Sequence, residues 1–138
     1  MSESFEESTL FDTSAILKVV NQYRGFEQVE VLLEKVEQRK IRGLLCPLTF
    51  FEIVHTLGGK DPKKAASVLA YVENLGFDLL TTTSETAKQA AYLELKHKDL
   101  FLSLADCIIL QSGIEQNATI VTSDKAWQKV EEAKVKVV

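Results

Sequence analysis

The sequence has only two prolines, six glycines, two cysteines and two histidines among its 138 residues. Two cysteines cannot build the disulfide framework that holds small secreted domains together. Both lie in apolar surroundings, Cys46 in GLLCPL and Cys107 in LADCIIL, and read as buried thiols in a reducing compartment. His55 and His97 are too few for a histidine-rich zinc centre. No apolar run approaches the roughly 20 residues of a membrane span. The opening MSESFEES is acidic and polar, the reverse of a secretory signal's basic start and apolar middle. We therefore expect a cytoplasmic protein with no membrane association. A formal net charge of −4 argues against binding nucleic acid through a broad basic face. It leaves room for a local basic rim, and it fits a cluster of carboxylates that a cation neutralises.

What the chain does contain is alternation. A hydrophobic fraction of 46% and a charged fraction of 26% suit one soluble globular domain with a single core. No repeat, low-complexity tract or linker divides it, and residues 1–8 are expected to form a flexible tail. Strands are expected at 9–12, 43–46, 77–80, 119–122 and 135–138. Helices are expected at 14–22, 27–40, 48–57, 62–75, 85–97, 104–116 and 125–133. Pro47 and Pro62 suit a first helical position, Gly76 a helix stop and Ser84 an N-cap. Short strands alternating with helices imply an α/β fold with a mainly parallel sheet covered on both faces. In such sheets the functional site lies beyond the carboxyl ends of the strands, where Asp12 and Asp124 fall.

Four carboxylates need explanation. Asp12 closes TLFD and could simply cap the following helix; Asp124, ahead of KAWQKVEEAK, has the same reading, with Ser123 as a rival cap. Asp106 could complete a capping box with Ser103, but it precedes the uniformly apolar run CIIL and is expected to be partly desolvated. Glu52 fits such readings least well. In LTFFEIVHTL the apolar positions cover nearly the whole helix and leave Thr49, Glu52 and Thr56 as one narrow polar stripe. A mid-helix Glu cannot be an N-cap, so it needs a cation, a hydrogen-bond partner or a solvent cavity; a plain buried salt bridge is its bland alternative. Gathered at one sheet edge, four acids would raise one another's pKa. Oxygen-rich sites of that kind hold hard cations such as Mg²⁺ or Mn²⁺, which activate water in phosphodiester displacement.

LFDTSAIL, FFEIVHTL, LSLADCIIL and TIVTSDKAW, in that order, resemble the acidic motifs of PIN-domain ribonucleases, including the small VapC-type toxins of toxin–antitoxin pairs. The likeness spans residues 9 to 138. It implies a three-layer α/β/α sandwich, a Mg²⁺ or Mn²⁺ site and hydrolysis of single-stranded RNA. By position, Asp12, Glu52, Asp106 and Asp124 would be the catalytic and metal-binding acids. Thr122, just before the last acid, would orient Asp124 or a water, and Thr13 or Ser14 would serve similarly beside Asp12. Some relatives carry a further acid after the last motif, where this chain has Ala126 and Trp127, which bears on a second metal. The resemblance also implies a homodimer and a possible antitoxin partner.

Other features carry bland and functional readings side by side. RKIR (39–42) and KHK (96–98) are solvated helix ends or a phosphate-contacting rim. Glu52 and His55 form a single E-x-x-H pair where a di-iron bundle needs two, so His55 is read as a packed or hydrogen-bonded helix residue. Trp127 is read as packing rather than a base-stacking platform. A haloacid-dehalogenase phosphatase would need an acid where Ser14 stands, and a receiver domain would need paired acids before its first helix. Within the resemblance, the alternatives to a toxin are an RNA-processing nuclease and a catalytically silent binding module.

Overall fold

In the computed structural model, which describes residues 7–138, five parallel strands form one sheet in the order β3-β2-β1-β4-β5. They are β1 (Ser8–Phe11), β2 (Arg42–Leu45), β3 (Asp78–Leu79), β4 (Thr119–Thr122) and β5 (Lys134–Val137). The helices are α1 (Thr13–Val20), α2 (Phe26–Glu37), α3 (Leu48–Leu57), α4 (Pro62–Asn74), α5 (Ser84–Lys96) and α6 (Leu104–Glu115). Among the described residues no helix is long and apolar enough to cross a membrane.

The period of two along each strand sorts the core into halves. Phe11, Leu45 and Val121 face one way and pack with Ile16, Val29, Leu33, Ile53, Val68 and Val72 from α1 to α4. Leu10, Leu44 and Ile120 face the other way and pack with Leu93 of α5 and Ile109 and Leu110 of α6. These three central strands are apolar on both faces because both are covered, as a parallel sheet requires. The result is the expected three-layer α/β/α sandwich. Its helix α6 lies very close to the sheet: a Cβ at Gly113 would collide with the Ile120 side chain.

The boundaries differ from expectation in places with identifiable causes. Residues 1–6 of the expected tail lie outside the described residues. Ser8 already belongs to β1, and the Glu7 carbonyl accepts the Arg42 N–H at 3.1 Å. The expected helix 125–133 is a 3-10 helix over Lys125–Lys129. Trp127 and Val130 are both buried in the α5–α6 half of the core, and a three-residue spacing is what a 3-10 turn aligns. Thr83, not Ser84, caps α5 by accepting the Thr86 N–H. Pro47 stands just before α3 rather than in it, whereas Pro62 opens α4 and Gly76 follows it with φ +87. The helix α3 is also not buried all round: Phe51 and Val54 are exposed, Phe51 at 68%.

Candidate active site

The strand order reverses at β1. The chain runs outward from β1 to β2 and β3, then returns on the other side with β4 and β5. Such a reversal opens a crevice at the carboxyl ends of the strands. Asp12 sits at that point. Its backbone N–H continues the β1–β4 ladder by donating to the Val121 carbonyl at 2.9 Å, and its own carbonyl accepts the Ala15 N–H of α1.

Asp12 occupies the N-cap position of α1, yet its side chain makes no capping bond. Its Oδ2 instead accepts the hydroxyls of Ser14 at 2.7 Å and Thr122 at 2.8 Å. The residue is only 6% exposed. Burial pushes its carboxyl up from 3.8 to about 6, against the lowering effect of the Ser14 and Thr122 hydrogen bonds. The nearby charges of Asp106 and Glu52 push it further in the same direction. No ion pair among the described residues involves Asp12. A desolvated carboxylate, ordered by two hydroxyls and within reach of two further negative charges, is therefore left without a counter-charge.

The hydroxyls tie the crevice together. Ser14 also accepts the Ser123 N–H at 3.0 Å, and Thr122 accepts the Asp124 N–H at 3.1 Å. On the α3 side, Thr13 donates its hydroxyl to Glu52 Oε1 at 2.7 Å and also faces Thr49 Oγ1 at 3.0 Å. Having one hydrogen, Thr13 is shared between these two acceptors. Glu52 thus has a hydrogen-bond partner rather than a buried salt bridge. Thr49 is fully buried and was not among the site residues expected from sequence. The polar stripe Thr49–Glu52–Thr56 was its available signal; Thr56 itself is exposed.

The two remaining acids do perform the bland roles open to them. Asp106 Oδ2 accepts the Ser103 N–H at 3.1 Å, and Ser103 Oγ accepts the Asp106 N–H at 3.1 Å, a complete capping box. Asp106 is nonetheless only half-exposed, and its charge reaches Asp12. Asp124 is exposed and accepts the Ala126 N–H at 2.9 Å. Among the described residues, no three acid, imidazole or thiol side chains converge into a ready metal cage. Mg²⁺ does not need one, because it commonly keeps several waters and is held through one or two carboxylates. The donor set fits such a hard cation: Asp12 is a buried carboxylate with no ion-pair partner among the described residues, and the charges of Glu52 and Asp106 reach it.

Other expected residues fall outside this crevice. His55 is exposed rather than packed, and its ring stacks on Phe51 with centroids 5.8 Å apart. Trp127 is fully buried, as expected of a packing residue. Both cysteines are buried and unpaired. Burial raises both thiols, Cys107 to about 11 with a further push from the Asp106 charge. Neither thiol is therefore a ready nucleophile.

Comparison with known proteins agrees with this architecture. Among curated proteins no sequence matches the chain. Among solved structures, VapBC2 from Rickettsia felis bound to a DNA fragment from its promoter matches with a TM-score of 0.77 at 16% identity, covering 94% of this chain and 98% of that one. VapBC-1 from nontypeable Haemophilus influenzae gives 0.71 at 15% identity, over 94% and 97% of the two chains. VapBC-5 from Mycobacterium tuberculosis, of the VapBC family of toxin–antitoxin systems, gives 0.62 at 15% identity, over 95% and 97%. At such identities the likeness establishes the fold. The PIN domain family matches residues 9–133, nearly the whole described chain, and the protein therefore belongs to the PIN-domain family of nucleases.

Proposed function

We propose that this chain is a Mg²⁺- or Mn²⁺-dependent endoribonuclease that hydrolyses phosphodiester bonds of single-stranded RNA, acting in the cytoplasm as the toxin of a VapBC-type pair. One observation carries the proposal: the Asp12 carboxylate is buried, held by two hydroxyls, without an ion-pair partner among the described residues and within reach of the Asp106 and Glu52 charges. A folded protein maintains such a group at a cost, and a divalent cation that offsets the cost accounts for it.

Asp12, Glu52 and Asp106 would hold the cation, with Asp124 at the margin of the crevice. The cation, when bound, supplies Lewis-acid polarisation of a phosphoryl oxygen and a water made acidic enough to attack near neutral pH. The chain's own residues fix the geometry around it. Ser14 and Thr122 converge on Asp12 Oδ2, which fixes the carboxylate plane and leaves Oδ1 for ligation. Thr13 does the same for Glu52 through Oε1. The capping box locks Asp106 to the first turn of α6. Preorganisation of this kind is what a charge-stabilising site contributes to rate.

The protein partners follow from the same reading. The structural neighbours named as VapBC complexes support a cognate antitoxin, and we extend the proposal to a homodimer. One observation favours the alternative of a catalytically silent module: Asp106 and Asp124 each serve a helix end. Purified protein offered single-stranded RNA separates the two. Cleavage should require Mg²⁺ or Mn²⁺, stop with EDTA and disappear in Asp12→Asn. Cleavage that survives both chelation and Asp12→Asn would exclude the mechanism, and a wild type inert toward RNA in either metal would favour the silent module.

A further inference from the structure

The crevice has an apolar flank that the acids do not use. Phe51 and His55 are four residues apart on α3 and share one face of the helix, beside the face that carries Glu52. Their rings are stacked at an interplanar angle of 10°, and both are exposed to solvent. Next to them lies an open pocket of about 630 Å³, lined by Pro47, Leu48, Phe51, Leu80, Thr82 and Ile108 among others. Pro47 and Thr82 follow β2 and β3, so the pocket lies at the same carboxyl edge as the site. Ile108 follows Asp106 by two residues on α6. The pocket is thus bounded by the two helices that carry Glu52 and Asp106.

Charge decides what could occupy it. Phosphate contacts usually dominate affinity for nucleic acid, but this chain has a net charge of −4 and an acidic site. Its densest basic stretches are partly spent internally: Arg42 pairs with Asp78 at 2.7 Å, and Lys96 lies 3.5 Å from Glu132 and 3.8 Å from Glu131. RNA held at this edge would meet an acidic site and an apolar pocket rather than a broad basic face. Single-stranded RNA offers unstacked bases, which proteins bind on exposed aromatic faces. We infer that Phe51, backed by His55, is the stacking platform for an unpaired base of the substrate beside the scissile phosphate, with the α3–α6 pocket receiving that base.

This inference rests on the proposed nuclease function and is tested on the intact protein with a single-stranded RNA cut at one mapped position. Phe51→Ala and Phe51→Leu should raise KM by about tenfold, the range expected for one base–aromatic stack, with kcat little changed because the contact is shared by ground and transition states. Phe51→Trp should retain the wild-type KM. Its exposed indole should also be quenched when RNA is added in EDTA, where the buried Trp127 is not. Replacing one nucleotide near the cut by an abasic residue should raise the wild-type KM to a similar extent and add nothing in Phe51→Ala. An unchanged KM in both Phe51→Ala and Phe51→Leu overturns the assignment. Sedimentation of Phe51→Ala identifies the rival: a dimer that dissociates while KM stays constant assigns this face to a second copy of the chain. A wild type that neither binds nor cuts RNA overturns the nuclease reading and the platform together, whereas cleavage insensitive to Phe51 overturns only the platform.

Discussion

Thr122 donates its hydroxyl to Asp12 Oδ2 across 2.8 Å, although 110 residues separate the two in sequence. The sheet register creates the contact. Phe11 of β1 pairs with Val121 of β4, so the next residue on each strand emerges at the same edge of the crevice. The hydroxyl offsets part of the burial that raises the Asp12 carboxyl, which stands at about 6 even with this help.

Thr122→Val preserves shape in a fully buried position but leaves the Asp12 carboxylate with one donor and the Asp124 N–H without its acceptor. A hydrogen bond to a charged group is worth about 1.5–3 kcal/mol, and metal-free protein at pH 7 should lose that order of stability. The loss should shrink at pH 4.5, where Asp12 is protonated. Thr122→Ser should retain most of the wild-type stability. Denaturant melts at the two pH values provide the check. A loss independent of pH would reduce Thr122 to a packing role.

Asp12 itself should make the metal-free protein more stable in mild acid. Its folded value of about 6 lies above the ordinary 3.8, so its contribution is fully present below 3.8 and lost as pH rises through 6. A rise from 3.8 to about 6 corresponds to roughly 3 kcal/mol. In EDTA at pH 7, Asp12→Asn should therefore exceed wild type in stability by up to that amount, and the margin should vanish toward pH 4. A constant difference between the two proteins from pH 4 to 7 would show that Asp12 is not perturbed in this way.

The same unfavourable charge predicts a response to metal. A ligand that binds only the folded state stabilises it by about 2.7 kcal/mol at a hundredfold excess over its Kd. Millimolar Mg²⁺ or Mn²⁺ should raise the wild-type Tm, and the rise should be much smaller in Asp12→Asn. Equal shifts in both proteins would place the bound metal elsewhere on the chain.

Much of this was legible in the sequence because the central strands are buried on both faces. Leu10–Phe11, Leu44–Leu45 and Ile120–Val121 are apolar without alternation, which marks a covered parallel sheet. The strand order was not legible, since no local pattern records which strands are neighbours. Asp12 had a helix cap as its bland reading from sequence, but its side chain makes no capping bond and turns to Ser14 and Thr122 instead. The resemblance placed Thr122 beside Asp124, whereas its hydroxyl donates to Asp12, a contact that depends on strand register and leaves no local trace. Thr49 went unassigned because a buried threonine in a helix looks the same from sequence whether it packs or faces a site. The expected all-round burial of α3 failed at Phe51 and Val54 because hydrophobic character alone cannot tell a core face from an exposed one. Asp106 and Asp124 were left with two readings each, and the structure shows the capping geometry of both without removing Asp106 from the electrostatic reach of Asp12.

The two roles of Asp106 can be separated by removing its charge and its cap in different variants. Asp106→Asn keeps an oxygen able to accept the Ser103 N–H while abolishing the negative charge. The lost interaction with the helix dipole costs a few tenths of a kcal/mol, and relief of repulsion on Asp12 offsets it, so stability in EDTA should stay within about 0.5 kcal/mol of wild type. Cleavage should nevertheless fall by about a hundredfold or more, since a charged group that helps to hold the cation is gone. Ser103→Ala should do the reverse. It removes the acceptor of the Asp106 N–H and should cost about 1 kcal/mol, as N-cap deletions do, while the carboxylate remains and cleavage falls only a few-fold. Paired melts and cleavage assays on the two variants distinguish charge from cap. A fully active Asp106→Asn would confine Asp106 to the end of α6 and leave Asp12 and Glu52 as the site.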